Sequence, residues 1–178
     1  WWASVWPQRG WSVPYPRYRE REGKMEFLIR KAEQKDWSAV TAIMSQVQQM
    51  HADWRPDLYK PNPEMIPQAV FAKILESGTC YVAQAEDKVV GVMLVAFYHK
   101  GNATHVERDV LYIDSMAVAP AYRGQGIGHA FFNKARQLCR ERGLQSIELQ
   151  VNAENQAAYA MYRSCGFTDQ AIRMELPL

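Results

Sequence analysis

The chain has 178 residues, of which 48% are hydrophobic and 22% charged, and this composition predicts one globular domain with a sizeable core. No apolar run approaches the ~18 residues that a membrane-spanning helix needs, so we expect no membrane association. The net charge of +2 becomes −1 when residues 1–24, with five basic and two acidic side chains, are set aside, which argues against nucleic-acid binding.

Residues 1–24 differ from the rest of the chain. They contain four of the six tryptophans and three of the nine prolines, and they follow neither a two-residue nor a 3.6-residue period. They also lack the continuous apolar core of a secretory signal. Two interpretations stay open: an extension that does not belong to the domain, with Met25 as the native initiator, or an arm whose tryptophans dock on another surface. We expect the domain itself to span residues 25–178.

The hydrophobic periodicity of that domain predicts alternating helices and strands. Asp36 is expected to cap the first helix, and a polar loop containing Gly101 and Asn102 is expected to separate two strands. Strands are predicted at 26–30, 79–85, 89–98, 110–118, 146–151 and 171–176, and helices at 36–55, 67–78, 128–142 and 155–164. This order, β-α-α-β-β-β-α-β-α-β, predicts an α/β domain with a mixed central sheet and helices on both faces.

The three cysteines, Cys80, Cys139 and Cys165, are too few and too far apart for a disulfide framework or a zinc knuckle. We expect each thiol to be a small buried hydrophobe in a reducing, cytoplasmic setting. The four histidines are scattered without the spacing of metal ligands, so no metal is expected.

A glycine-rich turn follows the strand at 110–118. Gly124, Gly126 and Gly128 alternate after Arg123, immediately before a predicted helix. The start of a helix presents unpaired N–H groups and a partial positive charge, and these suit a pyrophosphate. A dinucleotide fingerprint would need glycine where His129 stands, and a Walker loop would need a G-K-(S/T) ending that the chain lacks. A turn without any ligand stays open at this point.

A second motif helps to decide whether the glycine turn binds a ligand. The segment after the predicted strand at 146–151 follows the pattern N-x-x-A-x-x-x-Y-x-x-x-G-F, with Asn155, Ala158, Tyr162, Gly166 and Phe167. The glycine turn follows the pattern (R/Q)-x-x-G-x-(G/A). With both motifs in this order, residues 25–178 resemble the GNAT superfamily of acetyl-CoA-dependent N-acetyltransferases, and the resemblance leaves residues 1–24 unexplained.

The resemblance implies that the strands at 110–118 and 146–151 splay apart and admit the pantetheine arm of acetyl-CoA. Backbone groups of the first strand would pair with this arm, a backbone N–H there would bond the thioester oxygen, and the glycine turn would hold the pyrophosphate. The cofactor-binding residues that it implies are Met116, Ala117, Val118, Arg123, Gly124, Gln125, Gly126, Ile127, Gly128, Asn155 and Tyr162.

The implied reaction is attack of a primary amine on the thioester. An alkyl ammonium has a pKa near ~10.4 and must first lose a proton. Asp114 is the first candidate for the base, directly or through water, and Glu107, in the loop before the strand, is the second. Asp114 can equally be a strand residue bonded to a loop. Tyr162 matches the tyrosine that protonates the leaving thiolate, although it can instead pack the helix on the sheet, and Asn155 can be a simple helix cap.

The acceptor that the resemblance implies is a primary amine of a small molecule or a peptide. The segment between the first two helices is where the family shapes its acceptor site, and its candidate substrate-binding residues are His51, Trp54, Arg55 and Tyr59. The alternative function is an acyl-CoA-binding sensor with the same fold and no turnover. A homodimer is left open.

Overall fold

The structure, a computed structural model, describes residues 25–177, so the segment at 1–24 and the interpretations of it lie outside the described residues. Within that range the strands are β1 (Leu28–Lys31), β2 (Cys80–Ala85), β3 (Lys88–Asn102), β4 (His105–Val118) and β5 (Ser146–Leu149). The α-helices are α1 (Trp37–Trp54), α2 (Gln68–Ser77), α3 (Ile127–Arg142) and α4 (Gln156–Ser164). Short 3-10 turns, Gln34–Asp36 and Pro120–Tyr122, precede α1 and the glycine turn.

The strands form one mixed sheet in the order β1-β2-β3-β4-β5. Neighbours from β1 to β4 are antiparallel, whereas β4 and β5 are parallel because α3 crosses between them. The strands alternate their side chains between the two faces, and each face is covered by helices. The predicted α/β fold with a mixed sheet and helices on both faces is therefore confirmed.

Two hydrophobic cores result, one on each face. On one face Phe131 and Phe132 of α3 are fully buried against strand residues that include Met93 and Leu111. On the other face Val40 and Ile43 of α1 and Phe71 of α2 pack against Val82 and Val92. Val92 and Met93 are neighbours in β3 that point into opposite cores, as the two-residue period of a strand requires.

The β3–β4 hairpin is longer than predicted. The expected polar loop around Gly101 and Asn102 is strand up to Asn102, which pairs with His105 across a tight turn. The Asn102 Oδ1 accepts hydrogen bonds from the backbone N–H groups of Thr104 (2.8 Å) and His105 (3.0 Å). Asparagine is well suited to this because its side chain replaces a backbone partner within a turn. The candidate Glu107 is consequently a strand residue and not a loop residue.

Two other expectations change. No strand forms at 171–176: Ile172, Met174 and Leu176 alternate as in a strand, but each is more than 80% exposed and none pairs with β5. An alternating segment forms a strand only where the edge of a neighbouring strand can pair with it, and no such pairing is formed here.

The expected capping of α1 by the Asp36 side chain is also wrong. Asp36 occupies the N-cap position, but its buried carboxylate accepts hydrogen bonds from Arg30 (2.6 and 2.8 Å) and from the Glu33 N–H (2.7 Å) instead of from the helix.

Candidate active site

A β-bulge in β4 lies at Asp114. In the β3–β4 register Leu94 pairs with Ser115 and Val95 pairs with Ile113, so that Asp114 is an extra residue without a partner. The bulge reverses which side chains of β4 face α3. Leu111 and Ile113 do so before it, and Met116 and Val118 do so after it.

The strands β4 and β5 form a fork at the same point. Their parallel pairing runs from Val110 with Ser146 to Ile113 with Leu149 and then stops. The remainder of β4, residues 114–118, still pairs with β3 and has no β5 partner. This edge of β4 is open, and we call the opening between the two strands the fork. The β4–β5 pairing therefore ends next to the bulge, within the two segments that are predicted to splay apart.

Backbone groups at the fork alternate in direction. The Ala119 N–H donates to the Val90 carbonyl of β3 at 2.9 Å, and in an antiparallel ladder every second residue is directed to the same partner strand. Ala117 is therefore directed to β3, where it pairs with Val92. Met116 and Val118 direct their peptide groups toward the fork, and the Val118 carbonyl accepts from Nε of Arg123 at 3.0 Å. Of the three backbone candidates, Met116 and Val118 are thus the two that can face a ligand.

The glycine turn carries the chain from β4 into α3. Gly124 (φ +75°) and Gly126 (φ +90°) adopt left-handed backbone conformations, which residues with a side chain adopt at a cost. Gly126 is the N-cap of α3, no side chain caps this helix end, and the first helical bond runs from the Ala130 N–H to the Gly126 carbonyl. The first turn of α3, with Ile127 and Gly128, can therefore donate to an anion.

Gly128 has a second reason to be glycine. A Cβ at this position would lie 3.0 Å from Sδ of Met161, so that the two helices α3 and α4 approach each other through it. Gln125 makes only a long contact, 3.5 Å, to the Ala121 carbonyl. The third glycine of the motif therefore serves helix packing, whereas the first two serve the turn.

The motif in α4 places Tyr162 beside α3. Its ring contacts Phe132 edge-on at 5.7 Å and lies 5.9 Å from the ring of Phe167. Burial, and secondarily the charge of Cys165, raise the pKa of the Tyr162 phenol. Within residues 25–177 no hydrogen bond to its hydroxyl is formed. A protonated, unengaged phenol at neutral pH is suited to donate a proton.

Asn155 is the N-cap of α4. Its Oδ1 accepts from the Ala158 N–H at 3.1 Å, as the cap interpretation predicts. Capping uses the oxygen alone and leaves the Nδ2 amide for another acceptor. The cap and the cofactor-holding interpretations of Asn155 are therefore compatible.

The two candidate bases are far apart. Asp114 is exposed at the bulge, with the Ser115 hydroxyl 3.3 Å from its Oδ2. Glu107 is also exposed, seven residues earlier in the same strand, which is roughly 23 Å at 3.3 Å per residue. The structure brings Asp114 to the fork and does not bring Glu107 there.

The four substrate-binding candidates do come together at the end of α1. The ring of His51 lies 5.7 Å from Trp54 and 5.3 Å from Tyr59, and burial lowers the pKa of His51. Arg55 binds Asp57 at 2.6 Å and, near the chain end, Glu175 at 2.5 Å. Arg55 and Tyr59 line the same depression as Gly126 and Tyr162.

Glu148 forms a charged cluster that the sequence patterns do not predict. Its side chain is only 10% exposed, and it binds Nζ of Lys100 at 2.6 Å and Arg108 at 2.7 Å. Desolvation alone would raise the pKa of this carboxyl, but the Lys100 hydrogen bond and the two positive charges outweigh it and lower the pKa. The available signal was a charged residue inside a four-residue strand, SIEL, whose neighbours Ile147 and Leu149 face the α3 core.

Two kinds of feature are absent from residues 25–177. No group of three or more His, Cys, Asp and Glu side chains within them is arranged to hold a metal ion. None of the helices in this range has both the length and the apolarity to cross a membrane.

Comparison with known proteins identifies the family. The model of the acetyltransferase (GNAT) family matches residues 45–167, which include the bulge, the glycine turn and the whole α4 motif from Asn155 to Phe167. The chain belongs to the GNAT family of acetyltransferases.

The curated relatives match a smaller part of the chain than the family model does. An uncharacterized N-acetyltransferase of Methanocaldococcus jannaschii is 38% identical over 66 residues, 37% of this chain and 29% of that protein. The Escherichia coli N-acetyltransferase of the alanine of ribosomal protein bS18 is 37% identical over 70 residues, 39% of this chain and 47% of that enzyme. The chain spans less than half of the length of these curated relatives.

Among solved structures, a mutant of the BH1408 protein from Bacillus halodurans is similar over nearly its full length. The TM-score is 0.80 with 26% identity, covering 85% of this chain and 99% of that one.

Proposed function

We propose that this protein transfers the acetyl group of acetyl-CoA to a primary amine of a small molecule or peptide by direct attack of the amine on the thioester. The fork at Asp114 carries this proposal. It combines an open strand edge, an uncapped helix start and a protonated phenol on three adjacent elements. Membership of the GNAT family supports acetyl-CoA as the donor.

The donor would lie along two surfaces. The N–H groups of the first turn of α3 would bind the pyrophosphate, because Gly124 and Gly126 allow the backbone to approach phosphate oxygens closely. The open edge of β4 at Met116 and Val118 would pair with the amides of the pantetheine arm, and the Asn155 amide would hold this arm from the opposite side. Gln125, beside the turn, lines the same depression.

The reaction would take place where the bulge meets the fork. The amine nitrogen attacks the carbonyl carbon, and a backbone N–H of β4 stabilises the negative charge that develops on the oxygen. Asp114, directly or through water, accepts the proton that the ammonium loses before the attack and passes it to solvent, and it then accepts the second proton that the nitrogen loses as the amide forms. As the carbon–sulfur bond breaks, Tyr162 donates its proton to the thiolate and later regains one from solvent. The products are the N-acetyl amide and CoA.

The direct test is thiol release from acetyl-CoA over a panel of primary amines. We expect release that depends on both the enzyme and the amine, with one class of amine preferred. A protein that binds acetyl-CoA in calorimetry and releases no thiol with any amine, including N-terminal peptides, would be the non-catalytic sensor instead.

A further inference from the structure

A cluster of charges lies beside the fork, on the face of the sheet opposite α3. It consists of Glu148 of β5 with Lys100 of β3 and Arg108 of β4. Glu148 pairs with Tyr112, which is one step before the β4–β5 ladder ends. Tyr112 and Asp114 are two residues apart, or roughly 7 Å along the strand. A small molecule that reacts at the fork can therefore reach this cluster.

The cluster has an excess of positive charge. Two cations share one carboxylate, and a lysine with three donors and an arginine with five are not satisfied by two carboxylate oxygens. The side chains of Lys100 and Arg108 remain 40% and 34% exposed, whereas Glu148 is 10% exposed. The unused donors therefore face the open side of the cluster, where a second anion can bind them.

The depression that this cluster lines also reaches Arg55 and Tyr59, two of the substrate-binding candidates. The aromatic ring of Tyr112 lies beside the cluster, with its centre 5.9 Å from Nζ of Lys100. Apolar walls strengthen the attraction between charges because they exclude water.

We propose that the acceptor is a primary amine that also carries a carboxylate, and that Lys100 and Arg108 bind this carboxylate while the amine lies at the fork. The inference rests on the proposed acetyl transfer and names its class of substrate. The shared chemistry is an amine and a carboxylate a few bonds apart. A free amino acid provides it, and so does a peptide with an acidic residue next to its N-terminal amine.

The test compares acceptors that differ only in the charge of the second group. Straight-chain amino acids with one to five methylenes between amine and carboxylate are each assayed against their primary amides, with kcat/KM measured from thiol release. A tripeptide with glutamate in second place is assayed against its glutamine counterpart. We expect the carboxylate to be preferred at least about tenfold in one of the two arms, and that arm identifies the source.

Variants connect the preference to the cluster. In Lys100→Met and in Arg108→Met the ratio of carboxylate to amide should fall toward one, because each removes donors and one positive charge. Lys35→Met is the matched control, since Lys35 is an exposed lysine that binds the exposed Glu33 beside β1, at the opposite edge of the sheet from β5. It should keep the wild-type ratio. An unchanged ratio in both cluster variants would overturn the inference, as would equal kcat/KM for all pairs in the wild-type protein.

Failure of the proposed function is distinguishable from failure of this inference. If no amine released thiol, acetyl transfer would be contradicted, but the same acceptor pairs can be titrated calorimetrically into the protein in the presence of CoA. Tighter binding of the carboxylate member, lost in Lys100→Met, supports the inference without turnover. Equal binding of both members, or binding of neither, overturns it.

Discussion

Tyr162 combines a packing contact that the structure shows with the proton donation that we propose for it. Its ring packs edge-on against Phe132, so it contributes to the contact between α3 and α4. Its hydroxyl makes no hydrogen bond within the described residues, and burial raises its pKa. The packing belongs to the ring and the chemistry belongs to the hydroxyl, so a change that removes the hydroxyl alone distinguishes the two.

We predict that Tyr162→Phe lowers kcat by roughly 10²–10⁴-fold, the usual contribution of a positioned acid, because only the proton donor is lost. The melting temperature and the affinity for acetyl-CoA should change little, since the loss is confined to the transition state. Stopped-flow thiol release, thermal melting and calorimetry measure the three quantities.

Tyr159→Phe is the matched control for that variant. Its hydroxyl, on the same helix, donates to the Asp169 carboxylate at 3.0–3.1 Å, so the change removes a hydroxyl away from the fork. It should leave kcat near the wild-type value. A normal kcat of Tyr162→Phe together with a lower melting temperature would show that Tyr162 is a packing residue.

Helix α3 has a glycine in the left-handed conformation at each end. Gly126 begins the helix with φ +90°, and Gly143 ends it with φ +67°. Both are left-handed positions that favour glycine. The C-terminal one closes the helix, as C-terminal glycines usually do. The N-terminal one leaves the first N–H groups of α3 without a side-chain cap, and the proposed pyrophosphate site requires such groups.

We predict that Gly126→Val weakens acetyl-CoA binding at least about tenfold, because a branched side chain strains the turn and blocks the approach of phosphate oxygens. Gly143→Val introduces comparable backbone strain at the other end of the same helix. It should lower the melting temperature similarly and leave the affinity unchanged. Calorimetric titration of acetyl-CoA into both folded variants measures this, and undiminished affinity of Gly126→Val would remove the turn from the site.

The Glu148 ion pairs join three strands, and their effect on stability depends on pH. The folded-state pKa of Glu148 lies below its ordinary value of 4.5, so its contribution to stability is present above that value and is lost as pH falls through the folded-state pKa. We predict that Glu148→Gln lowers the free energy of unfolding at pH 7 and that the difference from wild type shrinks below about pH 4.5.

Denaturant titrations between pH 7 and pH 3 measure that difference. Glu76→Gln, which changes an exposed carboxylate on α2, is the control and should have little effect at any pH. A Glu148→Gln difference that is constant over the whole pH range would show that Glu148 is not stabilised by its ionic partners.

For the whole molecule, residues 25–177 supply the five-stranded sheet, the helices that cover it and both motifs. We therefore predict that a chain beginning at Met25 folds and keeps the kcat/KM of the longer chain for its best amine. Circular dichroism and thiol release compare the two chains. A large loss of folding or activity would instead favour the interpretation of residues 1–24 as a docking arm.

The sequence by itself determined the family, the element order and the glycine turn, because these depend on local features. A strand or helix period is visible in a short window, and alternating glycines indicate left-handed backbone wherever they occur. The two motifs are local as well, and the family resemblance that they carry implies Tyr162 and Asp114 as site residues. Locality also explains why a strand is wrongly predicted at 171–176, because alternation is visible in a short window and the presence of a partner strand is not.

The tertiary structure alone decided where the fork opens and what surrounds it. The bulge at Asp114 is a mismatch of register between β3 and β4, and neither strand shows it separately. The long β3–β4 hairpin, which places Glu107 seven residues from the bulge in β4, depends on the same pairing. Glu148 meets Lys100 across 48 residues of chain, a contact that exists only because β3, β4 and β5 are neighbours in the sheet. Such pairings are decided by packing between distant segments, which a local pattern does not encode.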